Sequence, residues 1–369
     1  MTPAQVIVLA MPVFLVLIAL EIAVDRARGS QTYRLNDALA SMGLGVMSQL
    51  SALFTAFFTL GVYTLVFEHA ALWRLPADSP ALWLAALLAY DFLYYWNHRA
   101  GHRVALLWAA HAVHHQSEAY NLSTALRQPS SYFLFSPLFY LPLAVAGVPP
   151  LVFAVVGLVD LLYQFWVHTQ QVGRLGGFDR WFCSPSNHRV HHAVNERYLD
   201  RNYGGILIVW DRLFGTYVAE DDAEPIVYGT RAPLRSFNPL WAHLQVYAGL
   251  AQDCWHSRSA ADRLRVWWKP PGWRPADVAQ RFPKPAFDLA QCRTYDPPLP
   301  RTTAALAVAL FAVALGATSL LLWHAHRLAG PQVLVAALGL VGLLGAIGRL
   351  TQPRAGAAAE GAGGLDAAR

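Results

Sequence analysis

Nine histidines stand at positions from which their side chains could bind metal ions. Eight of them form three clusters with intervals of three and four residues: His98-x-x-x-His102, His111-x-x-His114-His115 and His188-x-x-His191-His192. Such intervals put imidazoles on one face of a helix, so a single turn can present two or three ligands to a metal. The ninth candidate is His168, which ends an apolar hairpin that returns the chain from the second cluster toward the third. The other five fit structural roles at helix ends or a membrane surface; they are His69, His243, His256, His324 and His326.

Nine imidazoles can serve two metal ions at four or five ligands each. Imidazole binds iron, zinc, copper and nickel, so the spacing does not name the metal. No carboxylate recurs inside the clusters, unlike the Glu-x-x-His pattern of soluble di-iron bundles. The acids predicted to support the ligands and offset the metal charge are Asp91, Glu118, Asp160 and Glu196. Asp91 and Asp160 are the stronger candidates because they lie in or near apolar segments, where an unpaired carboxylate is costly; Glu118 and Glu196 fit a solvated loop equally well.

The interval between the first two clusters constrains the local structure. From His102 to His111 is nine residues, about two and a half helical turns. One straight helix would therefore aim the two clusters in opposite directions. If both serve one site, the chain must turn between them, and Gly101 is the residue best suited to a turn.

The composition favours a membrane protein. Hydrophobic residues make up 55% of the 369 residues and charged residues 14%, and the mean hydropathy is +0.31. Seven apolar segments approach the roughly 20 residues that cross a bilayer. They cover about 5–24, 43–67, 80–96, 131–147, 148–167, 304–323 and 333–350. The predicted fold class is an all-α integral membrane protein, a transmembrane helical bundle with a histidine-rich metal lobe on the cytoplasmic side.

Basic residues indicate the orientation of this bundle. With the N-terminus outside, Arg26, Arg28, Arg34 and all the clustered histidines fall inside, in agreement with the positive-inside rule. The net charge of +5 forms no basic block, so nucleic acid is not a predicted partner. The three cysteines have unrelated spacings and indicate neither disulfides nor a zinc ribbon. The predicted organisation is N-terminal transmembrane helices at 1–79, a catalytic domain at 80–220, a cytoplasmic extension at 221–301, a transmembrane hairpin at 302–354 and a disordered tail at 355–369.

The histidine pattern resembles that of the fatty acid hydroxylase/sterol desaturase superfamily of membrane di-iron enzymes. Their pattern is HxxxH, then HxxHH, then a further HxxHH after a membrane hairpin. Stretches around the clusters are most similar to the branch of this superfamily that cleaves ether lipids. They are YYWNHR at 94–99, WAAH at 108–111, YNLSTALRQ at 120–128, LYQFWVH at 162–168, NYGG at 202–205 and WDRLFGT at 210–216. The resemblance covers about 80–220 and extends weakly toward 275.

The resemblance implies a membrane-bound, O2-dependent lipid monooxygenase with two irons. The implied ligands are all nine histidines: His98, His102, His111, His114, His115, His168, His188, His191 and His192. The implied reaction is hydroxylation of an unactivated C–H bond of a lipid, which in the ether-lipid branch leads to cleavage. Tetrahydrobiopterin is the reductant in that branch, and haem or flavin carriers serve others, so an electron-donor protein is an expected partner. Sterol or fatty-acyl hydroxylation or desaturation is the nearest alternative.

Two hypotheses from other classes compete with an oxygenase. A membrane metal transporter would scatter its ligands through the depth of several spans, whereas these gather at one edge. A zinc-dependent membrane hydrolase would need a carboxylate beside its ligands, as in HExxH, and the clusters contain none. Trp96, Trp108 and Trp166 lie close to the ligands in sequence and fit either the wall of a lipid entry or ordinary anchoring at the membrane surface.

Overall fold

The computed structural model describes residues 2–352, and within this range the chain is helical. Fifteen α-helices follow one another: α1 Pro3–Arg28, α2 Leu35–Ala56, α3 Val62–Ala70, α4 Pro80–Arg103, α5 Ala105–His115, α6 Leu122–Ala125, α7 Ser136–Val145, α8 Pro150–Trp166, α9 Pro185–His191, α10 Val209–Leu213, α11 Pro239–His256, α12 Ala260–Trp268, α13 Ala276–Arg281, α14 Arg301–His324 and α15 Gly330–Leu350. Two isolated β-bridges are the only extended pairings in the described range. The predicted tail at 355–369 lies outside the described residues, and the other predicted domain boundaries stay predictions.

Four of these helical segments are long and apolar enough to cross a membrane. They are Ala4–Arg28, Leu35–Ala70, Arg301–Arg327 and Gly330–Leu350. The second is continuous because a π-helical turn at Phe57–Gly61 joins α2 to α3. Apolar side chains point outward along them, as expected for a surface that faces lipid; Val16 on α1 and Val335 on α15 are 58% and 71% exposed. The chain is an integral membrane protein with an all-α fold, which confirms the predicted class.

The three remaining predicted apolar segments correspond to α4, α7 and α8. The hairpin of α7 and α8 turns at Gly147, whose φ of +84° places it in the left-handed region. A Cβ at this position would lie 2.0 Å from the carbonyl oxygen of Trp73, so the turn requires glycine. The Leu72 N–H donates to the Val145 carbonyl over 2.8 Å. This contact fixes the hairpin tip at the end of the bundle where α4 begins.

The apolar helices pack around two separate cores. One core joins α2, α14 and α15 through residues such as Leu50, Phe311 and Leu344. The other joins α3, α4, α7 and α8, where the Tyr63 ring stacks on Phe153 at 3.9 Å. His98 is eighteen residues beyond the start of α4, or about 27 Å along the helix axis. The packed groups therefore carry the histidines to the end of the bundle opposite the hairpin tip.

The chain does turn between the first two histidine clusters, but the turn is not at Gly101. Helix α4 continues through Gly101 to Arg103, and Val104 adopts an extended conformation before α5 begins at Ala105. Gly101 lies inside α4, where a Cβ would make only ordinary contacts, 3.7 Å from the His111 side chain and 3.4 Å from the Tyr132 hydroxyl. The break at Val104 folds α5 back against α4.

Candidate metal centre

The structure brings all nine histidines together as two adjoining groups. One group has five members, and its candidate ligand nitrogens lie within 4.8 Å of one another: His98, His102, His111, His115 and His191. The other has four members at the same spacing: His114, His168, His188 and His192. All nine side chains are buried. The His115 and His192 rings, one from each group, stack at 4.3 Å, so the two groups are neighbours rather than separate sites.

Helix geometry divides each HxxHH cluster between the two groups. On α5, His111 and His115 are four residues apart and join the five-histidine group, while His114 joins the four-histidine group. At α9 the arrangement is reversed: His188 and His192 join the four-histidine group, and His191 joins the other. Residues at i and i+4 share a helix face. The histidine between them in each cluster projects to the side of that face, toward the other group. Each HxxHH cluster thus gives two histidines to one group and one histidine to the other, and the two clusters do so in opposite senses.

Four of the nine rings are oriented by backbone carbonyls. The Nδ1 atoms of His98, His114, His168 and His191 lie 2.8, 2.9, 2.7 and 3.0 Å from the carbonyl oxygens of Tyr203, Arg127, Gln164 and Arg201, respectively. A carbonyl can only accept, so each Nδ1 carries the proton. Each Nε2 is then a bare lone pair directed into its group. This orientation by an outer hydrogen bond is typical of metal-binding histidines.

The lone pairs also face one another at distances that a cation between them would explain. His114 Nε2 and His168 Nε2 are 3.2 Å apart, and both lack a proton because their Nδ1 atoms donate to carbonyls. His191 Nε2 and His102 Nε2 are buried without any hydrogen-bond partner in the described residues. Unpaired buried nitrogens and opposed lone pairs are destabilising unless a positive ion lies between them. The residues present therefore fit a pair of metal ions.

Burial keeps these imidazoles neutral, as metal ligands must be. Removal from water lowers the pKa of His114 to about 4. The pKa values of His111 and His115 on the same helix are lowered well below the ordinary value, first by burial and then by neighbouring histidines. A neutral imidazole offers a lone pair to a metal without first losing a proton. The centre is thus preformed as a set of neutral nitrogen donors.

The four acids predicted to support the ligands lie elsewhere. Asp91 accepts hydrogen bonds from Ile206 N–H, Leu207 N–H and the Trp210 indole and so fixes that loop. Glu118 accepts from Tyr295 N–H, and Glu196 pairs with Arg231 at the surface. Asp160 comes nearest, because it accepts from the Gln164 side chain while the Gln164 carbonyl accepts from His168. None of the four makes a hydrogen bond with a histidine of either group.

Two other carboxylates lie next to the groups that surround the histidines. Asp211 accepts from the N–H groups of Tyr203 and Gly204 at 2.8 and 2.7 Å, and so positions the Tyr203 carbonyl behind His98. Asp200 lies 3.8 Å from His102 Nδ1. Asp211 belongs to the WDRLFGT stretch, and Asp200 lies just before the NYGG stretch. The motifs therefore indicated this part of the chain but not the contacts that these two carboxylates make.

Arg127 supports the end of α5. Its Nε donates to the Val113 carbonyl over 2.7 Å, and its own carbonyl accepts from His114. The buried guanidinium is 3.9 Å from Asp37 on α2. Arg127 therefore ties a ligand-bearing helix to a membrane-spanning helix.

An apolar cavity of about 410 Å³ leads from the membrane helices to the histidines. Side chains of α1, α2 and α14 line its far part, including Phe14, Met42 and Leu315, and His111, His114 and His168 line its near end. This volume lies within the range of small-molecule sites. The three tryptophans proposed for a lipid entry are not in the cavity wall. Trp108 instead packs beside His102 and His115, with ring centroids 5.1 and 5.5 Å apart.

Comparison with known proteins gives one family and several relatives. Residues 83–216 match the fatty acid hydroxylase family. Alkylglycerol monooxygenase of Homo sapiens is 42% identical over 267 residues, which cover 72% of this chain and 59% of the relative. The enzyme of the same name in Xenopus tropicalis is 39% identical over 285 residues, covering 77% and 63%. An ornithine lipid hydroxylase of Rhizobium tropici is 31% identical over 132 residues, covering 36% and 40%.

These similarities cover only part of each relative and come from sequence comparison. The chain spans about three fifths of the length of the alkylglycerol monooxygenases it matches. No solved structure matches the chain. The family match includes all nine candidate histidines, which lie between positions 98 and 192. The chain therefore contains a fatty acid hydroxylase domain at residues 83–216, which confirms the family resemblance predicted from the histidine motif.

Proposed function

We propose that this chain is a membrane-bound, non-haem di-iron monooxygenase that hydroxylates a lipid with O2, and that its substrate is an alkylglycerol ether. The observation that carries the proposal is the apolar cavity, which runs from α1, α2 and α14 and ends on His111, His114 and His168. A hydrocarbon chain fits such a cavity, and a reactive metal pair needs to be shielded from water. The names of the relatives, alkylglycerol monooxygenase and ornithine lipid hydroxylase, support a lipid substrate.

The proposed reaction balances with one O2 and two electrons per turnover. Two bound irons would supply oxygen activation. One oxygen atom enters the C–H bond beside the ether oxygen, and the other leaves as water with two protons and two electrons from the reductant. The hydroxylated carbon is a hemiacetal: its O–H proton passes to the ether oxygen, the C–O bond breaks, and an aldehyde and a glycerol are formed. A tetrahydropterin, or a haem or flavin carrier, would supply the electrons.

The contribution of the protein is to position the lipid and keep the cavity dry. The polar groups in the wall nearest the histidines are largely bonded to each other. The Tyr132 hydroxyl donates to Asn97 Oδ1 over 2.9 Å, Asn97 Nδ2 donates to Ser136, and the Tyr94 hydroxyl donates to Gln164. Satisfied polar groups bind water weakly. The wall can therefore accept an alkyl chain beside the metal ligands.

A second candidate function is sterol or fatty-acyl hydroxylation or desaturation, favoured by the match to the fatty acid hydroxylase family. The zinc hydrolase and transporter hypotheses fit less well. Each ligand group consists of histidines without a carboxylate, whereas a zinc hydrolase needs an acid or base beside its metal. A transport path would distribute ligands along the membrane normal, and all nine histidines here lie in two adjoining groups.

We also propose that the centre faces the cytoplasm. Arg26 and Arg28 lie in the last turn of α1 and Arg34 precedes α2, at the histidine end of the bundle, and such residues favour the cytoplasmic side. A membrane-impermeant maleimide should then label Cys292, which is partly exposed, only in inverted vesicles; labelling from the outside would contradict this orientation.

The function is tested with purified, iron-loaded protein in lipid nanodiscs under 18O2. Panels of alkylglycerols, sterols and fatty-acyl lipids are supplied with and without a tetrahydropterin, and products are identified by mass. We expect one 18O atom in an aldehyde from the alkylglycerols. An 18O-labelled sterol or acyl chain would favour the second candidate, and products without 18O would contradict an oxygenase.

The same assay tests whether the cavity holds the alkyl chain. Ala10 on α1 lines the cavity, while its neighbour Leu9 is 54% exposed on the lipid-facing side. Ala10→Trp should fill the far part of the cavity and lower kcat/KM for long alkyl chains at least about tenfold, with a smaller loss for short chains. Leu9→Trp is the matched control and should behave as wild type. Equal effects of the two substitutions would show that the chain binds elsewhere.

A further inference from the structure

The apolar cavity is open to the surface of the bundle on one side. Three of the residues that line it are also exposed at the surface: Val6 on α1, and Leu161 and Leu162 on α8. Lining the cavity does not by itself produce such exposure, because Phe165 lines it too and is 7% exposed, whereas Leu161, one turn earlier on the same helix, is 47% exposed. The opening therefore lies between α1 and α8.

The gap between α1 and α8 is closed at the histidine end. The Phe14 ring on α1 packs against the Phe165 ring on α8, with centroids 4.6 Å apart. Both rings belong to an apolar core that includes Ile18, which is buried one turn further along α1. Beyond this core, Glu21 on α1 accepts a hydrogen bond from the Thr169 hydroxyl, three residues after the end of α8. The lipid cannot pass between the two helices at this end.

The other half of α1 is attached to α14 and not to α8. The Ser319 hydroxyl donates to Met11 Sδ over 3.7 Å, and the Gln5 side chain donates to the Trp323 carbonyl over 3.4 Å. Within the described residues, no hydrogen bond or aromatic contact joins α8 to the part of α1 that precedes Phe14. The opening therefore lies on the side of the Phe14 contact that is away from the histidines.

A proline separates the two halves of α1. Pro12 lies inside the helix, between Met11, which contacts α14, and Phe14, which contacts α8. Proline has no N–H, so the Val8 carbonyl receives no helical hydrogen bond from it. Helices bend most readily at such positions. The part of α1 before Pro12 can therefore move relative to the anchored part, and this movement changes the width of the opening.

We infer that the substrate lipid enters the apolar cavity sideways from the bilayer, through the opening between α1 and α8. The inference rests on the proposed function, which makes a lipid the occupant of the cavity. The edges of the opening are the apolar side chains of Val6, Leu161 and Leu162, so an alkyl chain can move through it without leaving an apolar environment. Entry from water would expose the whole chain, at a free-energy cost that grows with every methylene.

The test joins α1 to α8 across the opening. Ala10 and Leu161 both line the cavity, and each lies four residues before its helix's member of the Phe14–Phe165 contact. Both helices run toward the histidines, so the two residues lie at the same level. Ala10→Cys is combined with Leu161→Cys in a chain whose two partly exposed native cysteines are replaced by serine. A cleavable bismaleimide joins the two thiols, and mass spectrometry confirms the link.

The control link is made on the α14 side. It joins Gln5→Cys to Trp323→Cys, where the two residues already touch and neither lines the cavity. The measured quantity is the exchange of a deuterated alkylglycerol between metal-free protein and the lipid of its nanodisc, followed by mass. The deuterated lipid is supplied either before or after the link is formed.

We expect the link between α1 and α8 to slow exchange at least about tenfold. Lipid bound before linking should be retained, lipid supplied afterwards should be excluded, and cleavage should restore the wild-type rate. The control link should leave the rate unchanged. Leu161→Trp is a second variant that needs no link and should also slow exchange, whereas Leu151→Trp, exposed on the same helix but outside the cavity lining, should not.

Equal exchange rates with the two links, or equal rates in Leu161→Trp and Leu151→Trp, would overturn entry between α1 and α8. Exchange is measured without metal or turnover, so it does not depend on the oxygenase reaction. A wild-type protein that exchanges the lipid through this opening but gives no 18O-labelled product once loaded with iron would overturn the proposed function and leave the entry proposal standing.

Discussion

The His114→Ala variant is expected to hold about one metal ion fewer per chain than the wild type and to turn over at least about a hundredfold more slowly. His114 belongs to the group of four histidines. Its loss leaves three nitrogen donors, and the lone pair of His168, 3.2 Å away, loses the partner with which it would share the ion. Metal content is measured by elemental analysis of protein purified in parallel, and activity by the labelled-oxygen assay.

The neighbouring residue provides the matched comparison. His115 lies on the same helix and is equally buried, but it belongs to the group of five, so His115→Ala leaves four donors. We expect this variant to retain more metal than His114→Ala, although its activity also falls. If the two substitutions remove metal equally, or if neither removes any, the division of the histidines into groups of four and five is wrong.

Replacing Arg127 with methionine is expected to destabilise the protein by about 3–5 kcal/mol, because it leaves a buried carboxylate without its partner. Arg127 and Asp37 are 3.9 Å apart, with side chains 3% and 13% exposed. The Val113 carbonyl at the end of α5 also loses a hydrogen bond of 2.7 Å. Destabilisation should appear as a lowered Tm in detergent, together with weaker metal retention, since the same residue positions His114.

Two further variants separate the buried charge from a general effect of removing arginine. Arg197→Met breaks the surface pair with Asp221, where the side chains are 48% and 38% exposed, and should lower the Tm much less than Arg127→Met, because water screens an exposed pair. The double variant Asp37→Asn with Arg127→Met removes both charges and should recover part of the lost stability. A double variant that is less stable than the sum of the two single changes would contradict the paired-charge explanation.

The sequence was sufficient to predict the class of fold and the convergence of nine histidines from distant parts of the chain. Histidine intervals of three and four residues have a geometric meaning on a helix, and apolar segments near bilayer length indicate spans. Both predictions depend on local periodicity, which the sequence displays directly. His168 had no cluster of its own, yet its position at the end of α8 indicated where it would lie, and the structure places it 3.2 Å from His114.

Features that depend on the three-dimensional path of the chain were not predictable in the same way. The chain turns at Val104 rather than at Gly101, because α4 continues through Gly101 to Arg103 and the first extended residue is Val104. The groups that orient the histidines are backbone carbonyls, such as those of Tyr203 and Arg201. Every residue has a backbone carbonyl, so the residue types in the sequence do not show which ones take this role. Asp91 was predicted to support a ligand because an unpaired carboxylate in an apolar segment is destabilising. Its hydrogen-bond donors come from the loop at Ile206 and not from a histidine.

The most direct test of the central claim is the iron content of the purified wild-type protein, combined with Mössbauer spectroscopy of 57Fe-loaded samples. The proposed function predicts about two irons per chain, and the two adjoining groups of neutral nitrogen donors predict that the two ions have similar nitrogen-rich environments and are coupled to each other. A protein that holds zinc alone, or a single iron whose removal leaves lipid oxidation unchanged, would contradict a di-iron oxygenase.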